Sequence, residues 1–299
     1  MMHEGELTLS DHQAVALIIG RFPQYRGQSI RRLKTPGTVN AIFRVGESAT
    51  ARFPLQPADR SAGETALLRE AQAMEEFRSA SAFPGPRPLG VAAPTAGYPT
   101  AWSLQSWLPG ACPSPRSHES SDLFAEDLAT LISSLREHPV KGRRFSGSGR
   151  GGVLRDHDDW MQECLRRSEG VLDVPRLRRL WERFRELPAG GADVMSHQDL
   201  IPANLLVDGE RLSGVLDTGG FGPADPALDL VSAWHLLDAP RRQLLRERLD
   251  VGDAEWERGA GWAFQQAMGL AWYYRESNPV MSWLGRCTVG RLSGRQMGG

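Results

Sequence analysis

Residues 194–230, VMSHQDLIPANLLVDGERLSGVLDTGGFGPADPALDL, carry a spacing with chemical content: His197-x-Asp199-x-x-x-x-Asn204, then Asp217-x-Gly219. LLV (205–207) and LSGVLD (212–217) are strand-like, and DGER between them is a turn. A hairpin sets the residue that enters its first strand beside the residue that leaves its second. Here those two residues are Asn204 and Asp217. An amide oxygen beside a carboxylate makes a hard, oxygen-rich site, and Mg²⁺ takes oxygen ligands. Asp199 lies five residues before Asn204, on the loop leading in. It puts a second carboxylate near the metal without having to be a ligand, which suits a general base or an orienter of a hydroxyl nucleophile. Singly, Asn204 also reads as a turn residue, Asp217 as a cap and His197 as a satisfied core histidine. The joint pattern across one hairpin is what points to a site.

The segment resembles the aminoglycoside phosphotransferase family, which shares the protein-kinase-like fold and its H-x-D-x-x-x-x-N motif. The likeness extends to GTVNAIFRV and ATARFPL near the N-terminus, to WSLQSWLPG, and through 194–237. It implies that Asp199 is the base acting on the substrate hydroxyl and that Asn204 and Asp217 are Mg²⁺ ligands. It further implies that Asp229 holds the catalytic-loop backbone and that His197 is that loop's packing and hydrogen-bonding anchor. The fold it implies is α+β and protein-kinase-like, with two lobes. A small β-sheet-rich N-lobe with one long helix (1–108) would bind ATP or GTP. A larger, mostly helical C-lobe (109–299) would contain the catalytic hairpin and bind the acceptor. The implied activity is Mg²⁺-dependent transfer of the γ-phosphoryl group to a hydroxyl of an aminoglycoside-type antibiotic, giving resistance by inactivation. A macrolide or other small-alcohol kinase of the same family, or a non-catalytic nucleotide binder, is the alternative.

Phosphoryl transfer spreads charge over phosphoryl oxygens, so it needs positioning and charge neutralisation more than covalent help. In the family the small-lobe cation is usually a lysine on the third strand, paired with a helix glutamate. This chain has lysine only at Lys34 and Lys141, and neither fits that place. Arg52, on the strand-like run 49–55, is the expected substitute, because a guanidinium is always charged and binds phosphate bidentately. Glu70 is its expected partner, with Glu64 second. The turn containing Gly37, Thr38 and Asn40 sits where the family places its phosphate-covering loop, and glycine permits close backbone approach. Ser106 to Leu108 resemble the hinge whose backbone would read the purine edge. Gln198 is a second departure, since the family often has Gly there.

The acceptor-facing candidates are weaker. Polycationic acceptors call for carboxylates, and Asp156, Asp158, Asp159, Glu163 and Glu276 are available. For the first three, a solvated helix N-terminus favouring acids is the competing explanation. Trp256, Trp262, Phe264, Trp272, Tyr273, Tyr274 and Trp283 read mainly as core at helical spacing, with Tyr273 retained as a substrate candidate.

Positioning these groups requires particular elements. Ser10 or Asp11 caps a helix over QAVALIIGRF. SIRRL (29–33), NAIFRV (40–45) and ATARFPL (49–55) read as strands, and PGPRPLGV and YPTAWSLQSWLPG hold two more. A long helix is expected over 61–79. Further helices are expected over 123–137, 156–169, 174–187, 225–237, 241–249 and 255–275, with a loop at 139–152. With 299 residues, 40% of them apolar and 24% charged, the chain is of ordinary globular composition, with roughly two domains as the prior. Its net charge of -1 leaves no global basic field for coating nucleic acid. Cys112, Cys164 and Cys287 form no C-x-x-C pair, and free thiols in a reducing cytoplasm are the simplest account. No signal-peptide pattern and no apolar run of spanning length is read, so neither export nor a membrane partner is expected.

Overall fold

A computed structural model describes residues 7–33, 40–57, 59–147 and 149–294. Gly37 and Thr38 lie outside the described residues, as does Lys34. Two compact units emerge. The first comprises Met1–Ser79, Pro84–Pro109 and Asp217–Gly220; the second comprises Ala80–Phe83, Gly110–Leu216 and Phe221–Gly299.

In the first unit, helix α1 (Asp11–Arg21) starts at Ser10, whose side chain accepts from Gln13 N while the Gln13 side chain accepts from Ser10 N. An antiparallel sheet follows, built from β1 (Ile30–Arg32), β2 (Asn40–Val45), β3 (Ala49–Pro54), β4 (Pro88–Ala92) and β5 (Trp102–Ser106), in the order β1-β2-β3-β5-β4. Period-two alternation buries Ala41, Phe43 and Val45 on β2 and Ala49, Ala51 and Phe53 on β3. The Phe53 ring stacks on Trp102 at 4.6 Å and meets Phe43 edge-on at 5.7 Å. The same alternation turns Arg52 to the opposite face, in register with Ile42 and Ser103. Helix α2 (Arg60–Ala80) follows the sheet's third strand; it buries Met74 and Phe77, whereas Leu68 stays 49% exposed.

The second unit is mostly helical. Its helices are α3 (Asp122–Glu137), α4 (Asp158–Arg167), α5 (Val174–Arg185), α6 (Val231–Leu236), α7 (Ala239–Arg248), α8 (Asp253–Tyr273) and α9 (Pro279–Ser293). Two small ribbons accompany them. β6 (Val194–Ser196) pairs with β9 (Gly222–Ala224), and β7 (Leu205–Asp208) pairs with β8 (Arg211–Val215). The expected α+β class with a small sheet lobe and a helical lobe is therefore what the chain forms.

Three elements differ from expectation. The helix expected from Asp225 begins at Val231: Asp225 accepts from Ala227 N, and a one-turn 3-10 segment at Leu228–Leu230 intervenes. The helix expected from Asp156 begins at Asp158, after a 3-10 turn over Leu154–His157. Helix α9 was not expected, since its Gly285, Thr288, Val289 and Gly290 are weak helix formers. It forms because it packs against α8. A Cβ on Gly285 would lie 2.6 Å from Ala271 N and 2.7 Å from Ala267 O, so only glycine permits that approach.

Candidate active site

The H-x-D-x-x-x-x-N segment folds as a loop between β6 and β7, and a buried carboxylate holds its backbone. Asp229 is 3% exposed; its Oδ2 accepts from His197 N at 2.9 Å and its Oδ1 from Gln198 N at 3.0 Å. A carboxylate accepting two backbone N–H groups fixes both peptides at once. Gln198 stands at φ 73°, the left-handed region that glycine enters at no steric cost. The structure thus gives a physical reason for a glycine at this place and shows how a glutamine is held there: its N–H is bonded to both Asp229 and Ser196 Oγ. His197 is buried; its Nε2 donates to Leu216 O at 2.8 Å, tying the loop to the end of β8, and its Nδ1 faces Asp199 N at 3.3 Å.

Asp199 receives three side-chain donors. Oδ2 accepts from Asn204 Nδ2 at 3.0 Å; Oδ1 accepts from Gln266 Nε2 and from Arg150 Nη2, each at 2.6 Å. Asn204 Nδ2 also donates to Asp199 O at 2.9 Å, so the amide nitrogen faces Asp199 and the amide oxygen is turned the other way. The hairpin keeps the expected register: Leu205 pairs with Val215, and Leu216 N donates to Asn204 O at 2.7 Å. Asp217 is the next residue along the chain. Asp127 on α3 anchors the ribbon, accepting Leu212 N and pairing with Arg211 at 2.9 Å each.

Behind Asp199 runs a buried polar chain. Gln266 turns its NH₂ to Asp199 and its Oε1 to His235 Nε2 at 3.0 Å; His235 Nδ1 meets Thr288 Oγ1 at 2.8 Å. The carbonyl acceptor on Gln266 requires the proton on Nε2, and this fixes the amide's orientation toward Asp199. Burial pushes His235's pKa down from 6.5 to about 4; the Gln266 hydrogen bond and Asp199 oppose this, and Arg150 and Arg291 add to it. Unfolding exposes the ring and restores its ordinary affinity for protons. Stability is therefore fully present above pH 6.5 and falls as pH drops toward 4, by a few kcal/mol from this group. Chemical-denaturation midpoints should fall between pH 6.5 and 4.5, and His235→Asn should flatten that slope; an equal slope in the variant would assign it to other groups.

In the first unit, Arg52 Nη2 pairs with Asp217 Oδ1 at 2.8 Å, rather than with Glu70. Asp217 adopts φ 55° and its side chain is half exposed. Glu70 is close enough to feel both: burial raises its pKa, Arg52 lowers it and Asp217 raises it further. Gly219 follows from this packing, since a Cβ there would lie 3.1 Å from Glu70 Cβ and Cγ. Asn40 shares the Arg52 face of the sheet by register. Ser106 N donates to Arg87 O and Trp107 N to Ser48 O, each at 2.8 Å, so both hinge N–H groups are engaged within the protein. Leu108 is partly buried.

The acceptor candidates scatter. Asp156, Asp159 and Glu276 are exposed, and Tyr273 is 44% exposed. Asp158 is engaged by Trp181 Nε1 and Arg185, and Glu163 by Arg166 and Arg167. Trp262 and Phe264 are core. Arg150, Gln266 and His235, which converge on or behind Asp199, had not been singled out from the sequence.

A small antiparallel-sheet unit and a helical unit that carries an Asp–Asn loop are the parts of the kinase-like phosphotransferase fold, and solved structures of that class share it. The GDP complex of aminoglycoside 2'-phosphotransferase-IIIa superposes with TM-score 0.70 at 15% identity, covering 96% of this chain and 99% of that one. Macrolide 2'-phosphotransferase MphH from Brachybacterium faecium gives 0.61 at 15% identity, with 96% and 99% covered. The streptomycin–ATP complex of APH(2")-IIa gives 0.57 at 15% identity, with 88% and 90% covered. No curated protein matches the chain in sequence. The model of the phosphotransferase enzyme family, APH, matches residues 32–262, and the chain belongs to that family.

Proposed function

We propose that this family member moves the γ-phosphoryl group of ATP or GTP to a hydroxyl of a small antibiotic, of aminoglycoside type, and so inactivates it. The reading rests on Asp199: a carboxylate on a loop pinned by Asp229, with Asn204 fixing its Oδ2 side. Asp199 accepts the acceptor's hydroxyl proton as the new oxygen–phosphorus bond forms and the bond to the nucleoside diphosphate breaks. Asn204 and Asp217 are the proposed Mg²⁺ ligands. An amide oxygen and a carboxylate fit that ion, which binds one or two protein carboxylates and otherwise takes phosphate and water oxygens. Bound there, Mg²⁺ would neutralise phosphate charge. Arg52 is the proposed phosphate-binding cation on β3, with Glu70 beside it, and Asn40, Gly37 and Thr38 are the proposed phosphate cover. With the Ser106 and Trp107 N–H groups engaged, read-out of a base by residues 106–108 falls to the remaining backbone groups. A nucleotide donor places the work in the cytoplasm; no described helix is long and apolar enough to cross a membrane.

A macrolide is the second reading, favoured by the exposed Trp160 and Tyr273, 40% and 44% accessible, in the helical unit. Nucleotide consumption measured against a panel of aminoglycosides, macrolides and simple polyols, with ATP and with GTP, separates these. One acceptor class should stimulate Mg²⁺-dependent turnover. Nucleotide binding with no stimulated turnover across the whole panel would make the protein a non-catalytic nucleotide binder.

A further inference from the structure

Arg150 comes from the Gly/Ser/Arg-rich stretch 139–152, a sequence with the look of a passive linker. The structure clamps it. Phe145 N donates to Asp193 Oδ2 at 2.8 Å, and Gly151 O accepts from Asp225 N at 2.9 Å. Gly151, at φ 120°, and Gly152 lie under the Phe145 ring: a Cβ on Gly151 would sit 2.9 Å from Ala224 Cβ, and one on Gly152 2.9 Å from Phe145 Cε1. Asp225 is itself held by Arg258 and by Trp262 Nε1. Arg150 therefore leaves a fixed point, and its Nη2 reaches Asp199 Oδ1 at 2.6 Å.

Stability does not account for this pair. Arg150 is 29% and Asp199 34% exposed in their side chains, and ion pairs open to water contribute little. Gln266 and Asn204 already orient the carboxylate. Among the described residues the guanidinium's hydrogen bond runs through Nη2 to Asp199, which leaves Nη1 with donors to spare. A hydroxyl hydrogen-bonded to Asp199 has this guanidinium as its neighbour.

Resting on the phosphotransferase reading above, we propose that Arg150 is a catalytic cation supplied by the chain itself, binding the peripheral oxygens of the phosphoryl group as it reaches the hydroxyl on Asp199. The acceptor oxygen–phosphorus bond forms, the bond to the leaving nucleoside diphosphate breaks, and the hydroxyl proton passes to Asp199. Arg150 exchanges no proton and offsets charge on the group in flight, where a preformed donor has most effect.

The test uses the full chain and its Arg150→Gln and Arg150→Lys variants. For each, kcat and KM are measured with Mg·ATP and the best acceptor of the panel, and Mg·ADP affinity is measured with and without fluoroaluminate as a phosphoryl mimic. Arg150→Gln should lower kcat by about 10²–10³-fold, leave the nucleotide KM and Mg·ADP affinity nearly unchanged, and abolish the tightening by fluoroaluminate. Arg150→Lys should recover part of kcat, and both variants should melt with the wild type. Wild-type kcat in Arg150→Gln, or retained tightening, overturns the proposal. So does a rise confined to the acceptor KM, which would mean that Arg150 holds an anionic group of the acceptor. A wild-type protein that neither binds nor turns over nucleotide defeats the phosphotransferase reading first, and this proposal with it.

Discussion

Asp199→Asn should lower phosphoryl transfer by about 10²–10⁴-fold while nucleotide still binds. The loss has two parts. An amide is no base at neutral pH. It also cannot match three donors: Arg150 and Gln266 need acceptors on one side and Asn204 Nδ2 needs one on the other. If the new carbonyl serves Arg150 and Gln266, its NH₂ opposes the amide of Asn204 and displaces it. Rapid-mixing measurements of kcat, with equilibrium binding of a non-hydrolysable nucleotide, check this. A variant within threefold of wild-type kcat would remove Asp199 from the base role.

Asp225→Ala should destabilise the protein by about 3–5 kcal/mol. Asp225 is 4% exposed and accepts Arg258 Nε and Nη2 at 3.1 Å, Trp262 Nε1 at 3.0 Å and Ala227 N at 3.0 Å. Removing it strands the Arg258 charge, itself only 7% exposed, without a partner. Asp225→Ala combined with Arg258→Met deletes both charges, and it should recover part of the loss because no buried ion remains. Denaturant unfolding of the two single variants and the double variant measures this coupling. Strictly additive losses would show that the pair acts as two independent packing groups.

Local grammar made much of this legible in the sequence. The β7–β8 ribbon follows from two β-rich runs around a Gly-containing turn, and the β2–β3 pair from alternation of the same kind. The Asp229 contact was implied by family resemblance, and the structure accounts for it through two peptide N–H groups that need an acceptor. What stayed hidden depends on contacts distant in sequence. Arg150 lies 49 positions and Gln266 67 positions from Asp199. A glutamine in a Trp-rich helix signals only that a buried polar group needs a partner, not which one. Arg52 was expected as a substitute cation paired with Glu70, but its partner in the structure is Asp217, because the alternation of β3 fixes its face and not the neighbour it meets. Gln198 looked anomalous until its positive φ showed a backbone requirement at that place.

In the proposed reaction Asp199 takes up a proton while phosphorus moves to an alcohol. A single-turnover experiment follows both events: nucleotide labelled on its γ-phosphoryl group is bound to the enzyme, mixed with saturating acceptor, and the label followed to product. Label should pass to the acceptor's hydroxyl at the wild-type rate only when Asp199 is present. Transfer at the same rate by Asp199→Asn, or label released solely as inorganic phosphate by the wild type, would contradict the account.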